Sequence, residues 1–257
     1  MPTDEDDLTG PGAGPRHDPS AYGEATAADY DALAAALVGD TDAAVATLAE
    51  LADGGPVLEL GVGTGRLALP LVARGLAVTG VEASSAMIAE LRTREGGADL
   101  PVVQGDFATV RAPGVFALVV VAYNTIYALP DQDAQVACFQ NAAAHLRPGG
   151  RFVVEAWVPD PAAFRSGAAL RTLAVAEDEV VVESALLDPV AQRMTTTKVR
   201  LRNGDVRLFP ANHRYAWPAE LDLMARLAGL SLEQRWGGWR QQPFTADSRA
   251  HVSVYRR

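Results

Sequence analysis

The segment Glu59-Leu60-Gly61-Val62-Gly63-Thr64-Gly65-Arg66 joins a short apolar run, Val57 to Leu60, to a helical pattern that runs from Leu67 to Arg74 and stops at Gly75. A glycine-rich loop between a strand and a helix is informative because glycine permits a tight turn and lets a ligand approach the backbone with no Cβ in the way. In open α/β sheets, ligands bind beyond the carboxyl ends of the strands, where the strand order reverses. The glycine spacing here is G-x-G-x-G, with an acid two residues before the first glycine. A dinucleotide fingerprint reads G-x-G-x-x-G, and a phosphate loop needs G-x-x-x-x-G-K-[ST], which the chain lacks.

On either side of this loop the chain alternates between strands and helices. Ala77 to Val81, Val102-Val103, Phe116 to Val121 and Phe152 to Trp157 are apolar runs of strand length. Between them, Ser84 to Arg94 and Asp131 to Leu146 place apolar residues at helical spacing. Near-continuous apolar strands separated by amphipathic helices predict a parallel sheet covered on both faces, a doubly wound Rossmann-like α/β fold. Two last strands, Leu232 to Trp239 and His251 to Tyr255, bring the sheet to seven. After Trp157, residues 179–187, 193–202 and 205–216 alternate as antiparallel strands, with Asn203-Gly204 as a hairpin turn. Pro218 opens a helix that closes at Gly229. At the amino end, Ala21 to Val38 is helical, and a second helix runs from Asp40-Thr41 to Gly54-Gly55. The acidic, Pro- and Gly-rich residues 1–20 are expected to be a disordered tail, His17 included. The organisation expected is therefore a tail, 1–20, and one domain, 21–257, with a β-rich insertion at about 175–216.

A net charge of -10 disfavours a nucleic-acid backbone or an anionic membrane as partner. The single cysteine, Cys138, rules out an internal disulfide and reads as a small buried hydrophobe in a helix. With no long apolar run and no basic-then-apolar leader, a cytoplasmic location is expected. The histidines are too scattered for a metal site, and none is expected.

Glu82 ends the second strand about twenty residues beyond the loop, where an acid accepts hydrogen bonds from ribose hydroxyls. Glu59 to Arg66 resembles the first motif of class I S-adenosylmethionine-dependent methyltransferases of the small-molecule type. Gly80-Val81-Glu82-Ala83-Ser84 with Met87 resembles the second motif, and Gly105-Asp106-Phe107 the third. Val121-Ala122-Tyr123-Asn124-Thr125 resembles the fourth, and Leu146-Arg147-Pro148-Gly149-Gly150 the usual entry to the fifth strand. The resemblance covers about residues 20–257 and implies S-adenosyl-L-methionine as cofactor. It implies that Glu59, Gly61, Gly63 and Thr64 form the loop, and that Glu82 holds the ribose while Ala83 and Met87 pack on adenine. Asp106 meets the adenine amino group, with Phe107 beside the ring. Tyr22, Tyr30 and Arg66 are candidates for the methionine carboxylate. Tyr123, Asn124 and Tyr127 border the methyl position, and Trp157 lines the acceptor pocket. The insertion covers the active site in this family.

The predicted activity is methyl transfer to N, O or an electron-rich aromatic carbon, such as that of indole, in a natural product of secondary metabolism. Such a reaction needs an acceptor held in line, and a base where the acceptor is protonated. Of the four histidines, His213 on the insertion is the preferred base, with Tyr22 opposite; Trp236 and Trp239 read as structural. Two other classes compete: an NAD(P)-dependent oxidoreductase, disfavoured by glycine spacing and by Lys198 being the only lysine, and a non-catalytic cofactor-binding partner subunit. The exposed edges of the insertion offer a contact for a homodimer.

Overall fold

The computed structural model describes residues 17–31, 40–164 and 167–257. Most of the expected tail, residues 1–16, lies outside that range, as do residues 32–39 of the expected first helix; His17 is exposed. The described part of that helix is broken into α1 (Ala21–Thr26), a 3-10 turn (Ala27–Asp29) and a new helical start at Tyr30. There follow α2 (Thr41–Ala52), β1 (Val57–Leu60), α3 (Ala68–Ala73), β2 (Val78–Glu82), α4 (Ser85–Arg92), β3 (Val102–Gln104) and β4 (Phe116–Val121). A 3-10 turn at Thr125–Ala128 leads to α5 (Gln132–His145) and β5 (Leu146–Trp157). Helices α2, α4 and α5 start where a side chain accepts a free N–H of the first turn: Asp40 from Ala43, Ser84 from Met87 and Asp131 from Ala134.

The main sheet has seven strands in the order β10-β11-β5-β4-β1-β2-β3, where β10 is Ser231–Trp236 and β11 is Ala250–Arg256. Strands β1 to β5 run parallel, and β11 lies antiparallel between β5 and β10. From β1 the chain proceeds outward to β2 and β3, then returns to place β4 on the other flank of β1. The crevice of strand-order reversal is thus at the carboxyl ends of β1 and β4. One core lies on each face of the sheet. One is built round Phe139, Phe152 and Tyr255, the other round Leu48, Leu71, Leu118 and Val120. The lone Cys138 is fully buried in the first.

The insertion is a separate four-stranded antiparallel sheet of β6 (Ala168–Val175), β7 (Glu179–Asp188), β8 (Arg193–Arg202) and β9 (Asp205–Arg214). It begins at 168, not at about 175, and has a strand more than the sequence predicts. The missed strand, β6, breaks alternation where its pairing with β7 shifts between Thr172 and Ala174. Helix α6 (Pro218–Leu227) then returns the chain to the main sheet.

Candidate active site

The glycine loop leaves β1 with Gly61, Gly63 and Gly65 all at positive φ. The Gly61 and Val62 amides both donate to the Val81 carbonyl, drawing the loop over the end of β2. A Cβ on Gly61 would lie 2.6 Å from Thr125 Cγ2, so the β4 loop closes tightly on it. Above Gly63 there is open space. Glu82 spans the crevice mouth: its Oε2 accepts from Gly63 N at 3.0 Å and its Oε1 from Ser84 N at 2.9 Å. Burial raises its carboxyl above the ordinary range while those amides oppose the shift. One strand over, Asp106 Oδ1 accepts from Ala108 N, and Asn141 holds the Phe107 carbonyl. Ala83, Met87 and Phe107 gather with these acids at the ends of β2 and β3.

Glu59, 5% exposed, has Oε2 buried without a partner. Burial pushes this carboxyl up to about 8, with Arg66 opposing. Arg66 reaches Thr41 and lies over the Tyr123 ring, 5.7 Å from its centroid. Tyr30 sits among Tyr22, Tyr123, Arg66 and Glu82, and its phenol is raised chiefly by burial. Thr64, also buried, donates to Asp31, which is paired with Arg94.

Tyr123 and Asn124 are consecutive non-glycine residues in the left-handed region, φ 51 and 65. Glu155 on β5 holds them there: its Oε2 accepts from Tyr123 N at 2.7 Å, and its backbone carbonyl accepts from Asn124 N. Trp239 Nε1 donates to Glu155 Oε1 at 2.6 Å, and Thr47 on α2 donates to the Trp239 carbonyl. Asn124 Oδ1 accepts from Trp157 N at 2.6 Å, which ties the β4 loop to the end of β5.

The roof is one face of the four-stranded sheet. Glu183 on β7 and Lys198 on β8 are register partners there, and Glu183 also takes Arg171. The Glu183 charge acts on Tyr22 and Tyr123, so this face looks down on the crevice. His213 lies on the same face, half-buried, with Nδ1 inaccessible and unpartnered. Burial, and then the Lys198 charge, lower its imidazole to about 4. Tyr22 and His213 therefore share the roof region, one beside Glu183 and the other beside Lys198, with no hydrogen bond between them among the described residues. Helix α1 is anchored by Glu24, whose Oε1 accepts from Ser84 Oγ, Ser85 Oγ and Ala86 N.

Tyr127 is a correction. It is fully buried, meets the Trp157 ring edge to face, and its hydroxyl donates to the carbonyls of Trp157 and Ala216, so it has no surface to offer a substrate. Trp157 itself is half-buried and supports the same wall. His145 accepts from Ala112 N inside the core, and His251 pairs with Ser253 under full burial; neither faces the crevice. Sequence reasoning missed Glu155, Glu24, Asp31 and Glu183. Only Glu155 carried a signal, as the lone acid inside the apolar run Phe152 to Trp157.

The model of a methyltransferase domain matches residues 57–150. The cypemycin N-terminal methyltransferase of Streptomyces sp is 31% identical over 247 residues, 93% of this chain and 99% of that protein. The CcbJ methyltransferase from Streptomyces caelestis is 39% identical, with a TM-score of 0.86 over 93% of this chain and 99% of that one. S-adenosylmethionine-bound CalS10, an amino pentose methyltransferase from Micromonospora echinaspora, shares the fold at 22% identity, with a TM-score of 0.68 over 89% of this chain and 96% of that one.

Proposed function

The chain belongs to the class I S-adenosylmethionine-dependent methyltransferases, and on that premise we propose that it methylates an amine nitrogen of a small-molecule natural product. S-adenosyl-L-methionine supplies a methyl group activated on a sulfonium. The residues fit this cofactor: Gly63 leaves room above the loop, and Glu59 keeps a buried carboxyl oxygen unpartnered beside it. In this reading Glu82 takes the ribose hydroxyls, and Asp106 the adenine amino group. Ala83, Met87 and Phe107 flank the ring, while Gly61, Gly63 and Thr64 shape the loop. Tyr30 and Arg66 hold the carboxylate, and Tyr123 and Asn124 border the methyl position. Trp157 backs the acceptor side.

The observation that carries the acceptor reading is His213. An amine must present a lone pair, and a protein that uses it must receive the proton it gives up. His213 is neutral near pH 7 and half-buried on the crevice face; its Nδ1 is enclosed, so Nε2, which makes no hydrogen bond among the described residues, is the nitrogen that accepts the acceptor's N–H, and Tyr22 stands on the same side to orient it. The names of the cypemycin N-terminal and amino pentose enzymes support nitrogen over hydroxyl or indole carbon.

Calorimetric titration with S-adenosylhomocysteine should give micromolar binding that Glu82→Ala and Asp106→Ala weaken. Release of S-adenosylhomocysteine is then followed against peptide amino termini, amino sugars, phenols and indoles. Turnover confined to amines supports the proposal, and turnover of indoles or phenols alone overturns it.

A further inference from the structure

The four-stranded sheet is reversed in polarity relative to an ordinary surface sheet. Its crevice face carries Arg171, Glu183, Lys198, Arg200 and His213. Its outward face, from the Thr195–Asn212 pair to the Leu201–Val206 pair and across to β6, bears no charged side chain. One residue in five of the chain is charged, so an uncharged solvent face of this size is out of keeping with the rest of the surface. It is apolar as well: Leu170, Leu186, Val206 and Leu208 are 75%, 60%, 61% and 62% exposed, and Val175 is 73% exposed. Contiguous apolar patches of several hundred Å² mark interaction sites.

We propose that this outward face is the contact by which two copies of the chain form a symmetric dimer, sheet packed on sheet. The extent of the face argues for a second copy. Four strands of some eight residues on that face cover roughly 25 by 15–20 Å at standard strand rise and spacing, about 400–500 Å² for each copy. Two such faces bury about 800–1,000 Å² in total, the size of a weak, concentration-dependent contact and above most adventitious ones. A face with no charge meets its own copy without like-charge repulsion, and two-fold association uses the same patch on both partners. The contact is made by a face, not by the strand edges expected from sequence.

The test is the mass of the full chain by light scattering at about 50 µM, with Leu208→Glu, Leu201→Glu and, as a control elsewhere on the surface, Val115→Glu. The expected result is twice the 27.1 kDa chain mass for the wild type and Val115→Glu, and the single-chain mass for both face variants. S-adenosylhomocysteine binding within about threefold of wild type shows that those variants are folded. A monomeric wild type overturns the proposal, including one that binds zwitterionic lipid vesicles through this face. So does a dimer that the two face variants leave intact while Val115→Glu breaks it.

Discussion

Glu82 joins two roles at one carboxylate. It pins the glycine loop to the α4 turn through Gly63 N and Ser84 N, and it is the residue proposed to take the ribose hydroxyls. Removing it leaves those amides unpaired as well as deleting the ribose contact proposed for it. Glu82→Ala is expected to weaken S-adenosylhomocysteine binding by about 30- to 100-fold, roughly 2–3 kcal/mol, read by titration calorimetry. In the proposed reaction His213 acts on the acceptor and not on the cofactor. His213→Ala should lower kcat by about 10²-fold or more, with S-adenosylhomocysteine affinity unchanged. Because its imidazole is held at about 4 rather than near the ordinary 6.5, His213 itself should set no acid limb in the kcat profile between pH 5 and 7. A loss of activity centred near 6.5 that disappears in His213→Gln would contradict the buried, neutral imidazole.

Elements are positioned by single polar contacts spread along the chain. The β4 loop keeps its two left-handed residues because Glu155, reinforced by Trp239, accepts the Tyr123 amide. Non-glycine residues in that region cost about 1–3 kcal/mol each unless the surroundings hold them. Trp239→Phe keeps the ring's packing but deletes the indole N–H. It should leave Tm within a few degrees, yet raise the KM of acceptor and cofactor together, since the loop touches both sides of the crevice. Helix α1, six residues long, has little stability of its own and depends on Glu24 at the start of α4 and on Asp29 against Arg200 and Arg207. Glu24→Gln should therefore increase proteolytic cleavage near residues 20–31, with bound S-adenosylhomocysteine restoring protection.

At the scale of the whole molecule, three buried groups shape stability against pH. Glu59 has its folded carboxyl raised from 4.5 to about 8, so the native state holds a proton that the unfolded chain has lost, and stability falls as pH rises from 4.5 to 8. His213 and His251 are lowered from 6.5 to about 4 and about 3, so the unfolded chain binds protons the native state refuses, and stability falls as pH drops below 6.5. Their combined contribution peaks near pH 6.5. Thermal melts from pH 5 to 8.5 should show Glu59→Gln flattening the decline above 6.5 while leaving the acid limb in place. An unchanged alkaline limb in that variant would refute the buried, protonated Glu59.

The sequence by itself determined the class of fold and the binding end of the sheet. Strand periodicity, the Gly61–Gly65 spacing, Glu82 and Asp106 are local features: each follows from residues near one another in the chain, and the parallel sheet then places the loops together. It also marked His213 and Tyr22 as lying on covering segments. Only the tertiary structure decided that Tyr127 is a buried strut and that Glu155 holds the loop from β5. It also showed that β6 enlarges the insertion, and that the insertion turns its charges inward and its apolar side out. Those outcomes depend on which strand pairs with which and in what register. A one-residue shift exchanges the two faces of a strand, so alternation alone cannot say which face meets the crevice.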